Sequence, residues 1–285
     1  MVLKNNFCVF IISHGRPNNI ITLDILERCH CTYPVYIVID NEDKTGGEYK
    51  AKYKDMVVEF DKLKYADMTD EGDNFNDRRS TTHARNACFD IARNLGYKYF
   101  VVLDDDYNRF AYTFDQYGNY GKAQIILDID KVFDIYIDFL NTTNALSVSF
   151  AQGGDFMGGK ESKLLRDGMK RKCMNAWFCN VDKPFKFFSR LNEDVNTYLG
   201  LGQKGHLFIT PVQIRLEQSR TQATAGGMTE TYIDNGTYVK SFFSVIYGPS
   251  YTKISLMGRS AKRLHHFISW RHAVPCIVDE EHKKL

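Results

Sequence analysis

The first hundred residues alternate between strand-like runs and stretches with helical spacing. Four runs are predicted to be strands: 7–12, 35–40, 56–60 and 97–106. Two stretches between them repeat apolar residues on one helical face: 20–30 and 82–95. We expect Asn18 or Asn19 to cap the first helix and Gly96 to end the second. The polar segments 41–50 and 61–80 are predicted to be loops.

The order of these elements indicates a class of fold. Strands alternating with helices are typical of α/β proteins, which have a mainly parallel, twisted sheet with helices on both faces. In such sheets, ligands bind beyond the carboxyl ends of the strands. Residues 13–19 follow the first strand and residues 104–106 end the fourth, so we expect both to lie at one edge of the sheet.

The remainder of the chain has a weaker pattern. Helical spacing predicts three helices: 129–141, 194–202 and 230–246. Apolar or alternating runs predict strands at 145–150, 173–180, 185–189 and 274–278, and further strands near 206–217. Glycine-containing stretches predict three loops: 111–124, 152–172 and 222–229. The break in pattern near 105–130 favours a single compact domain with two halves, 1–110 and 111–285.

Composition and charge favour an ordinary globular protein. The chain has 285 residues, of which 44% are hydrophobic and 25% charged. A net charge of +2 does not by itself indicate binding to nucleic acid, although a local patch would suffice. One basic segment contains Lys160, Lys163, Arg166, Lys170, Arg171 and Lys172. It is a candidate for binding an anionic partner, and a solvated helix face is the alternative.

Cysteine usage and hydropathy bear on where the protein works. The seven cysteines are odd in number and follow no recognisable signal peptide, which favours reduced thiols and a cytoplasmic protein. The first apolar run, 7–12, is too short to cross a membrane, so no membrane partner is expected.

Three adjacent carboxylates, Asp104, Asp105 and Asp106, end the fourth predicted strand. Their mutual repulsion makes ionisation costly unless a cation is present. Mg²⁺ and Mn²⁺ favour one or two carboxylates together with phosphate oxygens and water. Since alternate residues of a strand point to one side, Asp104 and Asp106 are the expected metal ligands, and Asp105 faces the sheet or a sugar hydroxyl. A solvated acidic turn is the alternative.

Basic and polar residues near the same edge suggest a site for phosphate or a nucleobase. Arg85 begins a predicted helix, where its charge and the helix dipole both favour anions. Ser13, His14, Gly15 and Arg16 follow the first strand and offer hydrogen-bond donors. Two alternatives stay open, namely Arg85 as a surface residue and Arg16 as a partner in a structural salt bridge.

Several motifs together resemble the TET-associated glycosyltransferases, a largely bacteriophage-encoded family with the GT-A fold. They are SHGRPNN at 13–19, HARNACFDIA at 83–92, YFVVLDDD at 99–106, LNEDVNTY at 191–198, TQATAGGMTETY at 221–232 and RLHHFISWRHAVPCI at 263–277. The resemblance implies an enzyme that transfers a sugar from a nucleotide sugar to a hydroxymethylated pyrimidine in DNA. Residues 1–110 would bind the nucleotide sugar, and residues 111–285 would bind the acceptor and supply the catalytic group.

The resemblance also implies roles for particular residues. The nucleotide sugar would be bound by Ser13, His14, Gly15, Arg16, Arg85, Asp104 and Asp105. The metal would be held by Asp104, Asp106 and a C-terminal histidine, His266 or its neighbour His265. Asp194 is the expected base for the acceptor proton, and Glu193 is expected to contact the sugar or cap a helix. Two acids that merely complement a helix dipole are the alternative interpretation.

The implied cofactor is Mn²⁺ or Mg²⁺, and the implied donor is UDP-glucose or UDP-arabinose. The implied partner is double-stranded DNA with 5-hydroxymethylcytosine or a related base, which must leave the base stack to reach the metal. The loop at 222–229 contains Gly226 and Gly227 and would clamp donor or acceptor. Rival hypotheses are a GT-A enzyme acting on a polysaccharide or protein hydroxyl, a non-catalytic nucleotide-sugar or DNA-binding module, and a nucleotidyltransferase.

Overall fold

The apolar run Phe7–Ile12 forms β1, the strand at the centre of the main sheet in this computed structural model. It pairs in parallel with β2 (Val35–Asp40) on one side and β4 (Tyr99–Asp104) on the other. β2 in turn pairs in parallel with β3 (Val57–Phe60). All six residues of β1 are buried, as expected for a parallel strand covered on both faces.

The structure describes residues 5–73, 75–121, 124–153, 156, 158–162, 173–218, 229–257, 262–273 and 280, with the backbone alone at 160 and 229–237. The other strands are β5 (Tyr107–Tyr112), β6 (Ser147–Val148), β7 (Ala151–Gln152), β8 (Trp177–Asn180), β9 (Phe208–Ile209), β10 (Ile214–Gln218), β11 (Thr252–Met257) and β12 (Arg263–Ile268). The helices are α1 (Ile21–Arg28), α2 (Gly46–Tyr53), α3 (Lys62–Ala66), α4 (Thr82–Asn94), α5 (Ile129–Thr143), α6 (Glu193–Gly202), α7 (Thr229–Tyr247) and α8 (Trp270–Ala273). Within these ranges, no helix has the length and apolar character that a membrane span requires.

The main sheet is mainly parallel and takes strands from both parts of the chain. Its seven strands run in the order β3-β2-β1-β4-β8-β6-β9. β8 is antiparallel to its neighbours β4 and β6, and β6 pairs in parallel with β9. A smaller sheet has the order β5-β10-β7, and β11 and β12 form an antiparallel hairpin.

Alternate residues of β1 point to opposite faces of the sheet, and each face has its own apolar cluster. Phe7, Val9 and Ile11 pack with residues of α1 and α5. Cys8 and Phe10 pack with residues of α4 and α6. Each apolar side chain buried in this way stabilises the fold by roughly 1.5–3 kcal/mol. Helices therefore cover both faces, which confirms the predicted α/β class.

The long helices and the central strands lie where the sequence predicts them, with ends shifted by a few residues. Gly96 follows α4 with a φ of 82°, as predicted for a glycine that ends a helix. The expected cap of α1 by Asn18 or Asn19 is wrong, since its first turn has no side-chain cap. The backbone N–H of Thr22 instead donates to the carbonyl of Asp105 at 3.1 Å, so a distant segment satisfies it.

Two segments predicted to be loops contain short helices. Residues 41–50 include the start of α2, where the fully buried Tyr49 packs against the core and outweighs the polar local sequence. Residues 61–80 include α3, whose first turn is capped because the Asp61 side chain accepts a hydrogen bond from the N–H of Lys64. Both helices depend on contacts that apolar periodicity does not reveal.

The predicted strand at 185–189 is wrong. Phe185 and Phe187 are buried against Trp177, which accounts for the apolar pattern. However, the N–H and carbonyl of Phe187 bond to the side-chain amide of Asn86 rather than to a neighbouring strand. The segment thus lies outside the sheets, and the side chain of Asn86 holds its backbone.

Other predictions are partly met or fall on residues beyond the described ranges. Of the predicted strand at 145–150, only Ser147–Val148 forms a strand, β6, and β7 begins after its predicted end. β5 extends to Tyr112 in a region expected to be a loop. Most of the basic segment 160–172, nearly all of the loop 222–229 and the predicted strand 274–278 lie outside the described residues.

Candidate active site

The carboxyl ends of β1, β2 and β4 meet at one edge of the main sheet. Ile12, the last residue of β1, is in register with Asp104, the last residue of β4. The loop that follows β1 therefore lies beside the acidic triplet, as the order of elements predicts. This edge is the candidate active site.

Asp105 fixes the loop that follows β1. Ser13 Oγ donates to Asp105 Oδ2 at 2.6 Å, and Arg16 Nη1 donates to Asp105 Oδ1 at 2.8 Å. Burial raises the pKa of this carboxyl despite the nearby positive charge of Arg16. The salt-bridge alternative for Arg16 is therefore confirmed, while nucleotide contacts by Arg16, Ser13 and Asp105 stay predictions.

The backbone of this loop is held by residues near the end of β2. Gly15 has a φ of 71°, which glycine adopts without steric cost, and its N–H donates to Asp43 Oδ2 at 2.7 Å. The N–H of Arg16 donates to Tyr49 Oη at 2.9 Å. Tyr49 Oη also lies 2.7 Å from Ser13 Oγ. The loop is thus pre-formed by contacts within the protein.

His14 belongs to a small charged cluster at the end of β2. Its Nδ1 lies 2.7 Å from Asp40 Oδ2, and Lys62 Nζ donates to Asp40 Oδ1 at 3.3 Å. The hydrogen bond to Asp40 raises the pKa of His14 above its ordinary value. Burial favours neutral Asp40, but the hydrogen bond from His14 and the charge of Lys62 keep its pKa below the ordinary range.

Arg85 joins the acidic triplet to the start of α6. Its Nη2 donates to Asp104 Oδ1 at 3.0 Å, and its Nη1 lies 3.2 Å from Glu193 Oε1. Thr81 Oγ1 donates to the same Glu193 oxygen. Burial opposes the charge of Arg85, yet Asp104 and Glu193 hold its pKa above the ordinary value. One guanidinium therefore brings residues 104 and 193 together.

The environment of Arg85 bears on whether it is a surface residue or a residue that binds phosphate. Its side chain is buried, so the surface-residue alternative is wrong. The Nε and Nη1 atoms make no hydrogen bond of good geometry with any described residue, although Nη1 is within ion-pair distance of Glu193. Both atoms are shielded from solvent, and phosphate binding by Arg85 stays a prediction.

Asp104 is held in place from two directions. Tyr107 Oη donates to Asp104 Oδ2 at 3.1 Å, and Thr22 Oγ1 donates to the Asp104 carbonyl at 2.6 Å. Thr22 Oγ1 also accepts the N–H of Tyr107 at 2.9 Å. The Asp104 side chain remains 27% exposed, so its carboxylate is fixed and still accessible.

The donor set around Asp104 fits a divalent cation. β4 ends at Asp104, so Asp105 and Asp106 lie in the turn that follows. Burial, together with the charges of Asp104 and Asp105, raises the pKa of Asp106 to about 7. Asp104 and Asp106 offer carboxylate oxygens, the kind of ligand that Mg²⁺ and Mn²⁺ favour, and metal binding by these two residues stays a prediction. The described residues contain no group of three or more metal-binding side chains, so phosphate oxygens and water would complete the coordination.

The two acids of the LNEDVNTY motif begin α6 and differ in environment. Glu193 is buried and contacts Arg85 and Thr81. Asp194 is partly exposed, and its Oδ1 accepts the N–H of Val195 at 2.7 Å. Both acids lie in the first helical turn, where the dipole favours them. The assignment of Asp194 as base stays a prediction.

His266 lies beside the same helix start. Asn192 Nδ2, one residue before Glu193, is 3.1 Å from His266 Nδ1, 2.9 Å from the Lys240 carbonyl and 3.1 Å from Ser244 Oγ. An amide nitrogen donates, so Nδ1 of His266 accepts. Burial, with the neighbouring His265 and Lys240, lowers the pKa of His266 to about 3. A neutral imidazole results, and metal ligation by His266 stays a prediction.

A buried arginine anchors the segment before α6. Arg190 Nε and Nη2 donate to Asp73 Oδ2 at 2.9 and 2.8 Å, and Nη1 donates to Asp77 Oδ2 at 2.9 Å. The N–H of Arg190 also donates to the carbonyl of Glu71 at 2.9 Å. The long loop before α4 is thus attached directly to the segment that carries Glu193.

Several residues of the site could not be recognised from the sequence. Tyr107, Thr22 and Thr81 each contribute one hydroxyl, and isolated Tyr or Thr residues give no motif. Asp40 ends a predicted strand, and this position at the carboxyl end of a strand is the one feature of the sequence that indicates a place in the site. Lys62 lies in a stretch expected to be a loop.

Comparison with known families gives one match. The family model described as TET-Associated Glycosyltransferase, TAGT, matches residues 7–227. That range includes the loop after β1, the acidic triplet and the start of α6. A search of curated proteins found no match.

Comparison with solved structures gives remote similarities. Residues 1–349 of S. aureus TarS are 9% identical over 74% of this chain and 60% of that chain, with a TM-score of 0.40. Glucosyl-3-phosphoglycerate synthase from Mycobacterium tuberculosis, in complex with Mn²⁺, UDP and phosphoglyceric acid, is 11% identical over 96% of this chain and 88% of that chain, with a TM-score of 0.46. A third structure, described as a mycobacterial protein, is 8% identical over 93% of this chain and 84% of that chain, also with a TM-score of 0.46. The chain thus spans 60% of the TarS fragment.

Proposed function

The chain belongs to the TET-associated glycosyltransferase family, and from that premise we propose that it transfers a sugar from a UDP-sugar to the hydroxymethyl group of a modified pyrimidine in DNA. The proposed acceptor base is 5-hydroxymethylcytosine, and the proposed donor is UDP-glucose or UDP-arabinose. One observation carries the proposal: the Arg85 guanidinium lies against both Asp104 and Glu193. The side chain of Arg85 therefore bridges the proposed donor-binding edge and the start of the proposed catalytic helix, α6.

On the donor side, the proposal assigns each residue of the edge a task. Asp104 and Asp106 hold Mn²⁺ or Mg²⁺, which would offset the charge of the diphosphate leaving group. Arg85 supplies donors to the phosphate oxygens and keeps Asp104 in place. His14 and the loop around Gly15 and Arg16 contact the nucleoside, supported by the pre-formed backbone of that loop.

On the acceptor side, a proton must leave the hydroxyl as the new bond forms. The hydroxymethyl oxygen attacks the anomeric carbon, and the bond between that carbon and the diphosphate oxygen breaks. Its electron pair leaves with UDP, and Asp194 takes the hydroxyl proton. Asp194 suits this role because no described residue donates to its Oδ2, whereas Glu193 is committed to Arg85 and Thr81.

The test is transfer in a defined mixture. Purified protein is incubated with Mn²⁺, one UDP-sugar at a time, and duplex DNA with either 5-hydroxymethylcytosine or cytosine. Mass spectrometry of the digested nucleosides should show a sugar on 5-hydroxymethylcytosine alone. Equal labelling of both duplexes, or of neither with every donor, contradicts the DNA-base acceptor. Transfer to a polysaccharide or protein hydroxyl in place of DNA would support the rival enzyme.

One variant and its matched control test whether transfer depends on the charge of Asp104. Asp104→Asn keeps the shape of the side chain and removes its charge, so transfer should fall at least about a hundredfold. Asp182→Asn is the matched control, because that exposed carboxylate pairs with Lys98. If wild type binds UDP-sugar and DNA but neither transfers nor hydrolyses the sugar, the protein is a non-catalytic binding module.

A further inference from the structure

The C-terminal part of the chain has an unusual charge distribution. Between residues 235 and 278 there is no aspartate or glutamate, and the six basic residues are Lys240, Lys253, Arg259, Lys262, Arg263 and Arg271. The whole chain has a net charge of +2. The positive charge of this segment therefore exceeds that of the complete protein, and acids elsewhere balance the remainder.

The hairpin of β11 and β12 divides its residues between two faces. Residues opposite each other in an antiparallel pair share a face, and neighbours along a strand alternate. On one face, Thr252 is buried, Ile268 packs against an apolar cluster and His266 contacts Asn192. The part of that face near Thr252 and His266 is therefore directed at the protein, whereas its third pair, Leu256 and Leu264, is exposed. The opposite face bears the pairs Lys253–Phe267, Ser255–His265 and Met257–Arg263, of which the middle pair is only partly exposed.

The outward face combines positive charge with exposed apolar surface. Lys253, Met257, Arg263 and Phe267 are all exposed, and the Lys253 ammonium lies 5.3 Å from the centre of the Phe267 ring. Lys262, directly before β12, is exposed as well. Within the described ranges, no carboxylate is close enough to form an ion pair with these lysines or with Arg263. Their charges can thus interact with a partner.

The hairpin is also attached to the candidate active site. His266 of β12 and the Lys240 carbonyl of α7 both contact the side-chain amide of Asn192, which directly precedes Glu193. The inward face of the hairpin therefore lies beside the start of α6, and the outward face is on the other side of the same two strands. An acceptor too large to enter the site needs such an adjoining surface.

We propose that the outward face of the β11–β12 hairpin is the surface that binds double-stranded DNA. The inference rests on the proposed function, since it concerns how the acceptor reaches that site. Lys253, Lys262 and Arg263 contact backbone phosphates, and Phe267 packs against the sugar-base surface. A two-stranded β-ribbon has the width to enter the major groove, and unpaired cations beside an exposed ring suit nucleic acid.

The test compares three triple variants that each remove three charges. Lys253→Gln/Lys262→Gln/Arg263→Gln alters the hairpin, and Lys44→Gln/Lys64→Gln/Lys204→Gln is the control at exposed positions elsewhere. A third variant, Lys170→Gln/Arg171→Gln/Lys172→Gln, examines the basic segment found in the sequence. Binding to a fluorescent, unmodified duplex is measured by anisotropy over a range of salt. Transfer to free 5-hydroxymethyl nucleoside is measured in parallel.

The hairpin variant should bind at least about tenfold more weakly, and its salt slope should fall by about 0.9 for each phosphate that the protein no longer neutralises. Its transfer to the free nucleoside should equal that of wild type. DNA affinity unchanged in the hairpin variant, or reduced equally in the control, overturns the proposal. The proposal is also overturned if wild type binds polyglutamate or anionic vesicles as tightly as it binds the duplex. If neither wild type nor any variant transfers sugar, the proposed function fails. The binding of the duplex by the hairpin variant still tests whether the hairpin binds DNA.

Discussion

Replacing Arg190 with methionine should destabilise the protein strongly. The side chain is 1% exposed and neutralises Asp73 and Asp77, and removing one partner of a buried ion pair costs about 3–5 kcal/mol. Asp77 keeps Arg79, whose Nε and Nη2 donate to it at 2.9 Å, so Asp73 is the carboxylate left unpaired. We therefore expect the lower limit, about 3 kcal/mol, which corresponds to a fall of roughly 6–12 °C in Tm.

The assay is thermal unfolding followed by circular dichroism, with urea unfolding as a second measure. Arg78→Met is the matched control, since Arg78 pairs with Glu42 at a partly exposed position and such pairs contribute about 0–1 kcal/mol. Asp73→Asn in the Arg190→Met background should recover part of the stability, because it removes the unpaired charge.

Equal melting temperatures for Arg190→Met and Arg78→Met would refute this reasoning. A double variant no more stable than Arg190→Met would refute the specific role of Asp73. The destabilisation would then come from packing, for which the Phe243 ring, 5.4 Å from the Arg190 guanidinium, is the evident neighbour.

Three further predictions concern the candidate site. Thr81→Val removes the hydrogen bond to Glu193, so kcat/KM for transfer should fall about tenfold, and an unchanged value would contradict a role for Glu193. EDTA should abolish transfer and Mn²⁺ should restore it, whereas full activity in EDTA would exclude the proposed metal role. The pKa of His14 is raised on folding, so its contribution to stability is complete below about pH 6.5 and is lost as pH rises past the folded pKa. The difference in Tm between wild type and His14→Gln should therefore shrink from about pH 6 to about pH 9, and a constant difference would contradict this.

The central sheet could be predicted because its strands obey local rules. The run 7–12 is uniformly apolar and buried, and 82–94 repeats apolar residues on one helical face. The same order of elements predicts that Asp104 lies beside the loop after β1, which the register of Ile12 with Asp104 confirms. Such information is contained in a few neighbouring residues.

The features that the sequence did not reveal depend on distant partners. Arg85 looked equally suited to a surface position, and its burial follows from Asp104 and Glu193, which lie 19 and 108 positions further along the chain. The segment 185–189 has a strand-like pattern, but the amide of Asn86 takes the hydrogen bonds that a strand partner would make. No local pattern encodes either choice.

The position of β8 between β4 and β6 has a consequence for synthesis on the ribosome. The strand β4 emerges well before β8, and until then its buried residues Phe100, Val101 and Val102 form an open sheet edge. An apolar edge of that kind pairs readily with other chains. We therefore expect nascent chains that end before Trp177 to aggregate or bind chaperones, and the first half of the protein to reach its native state only after the second half supplies that strand.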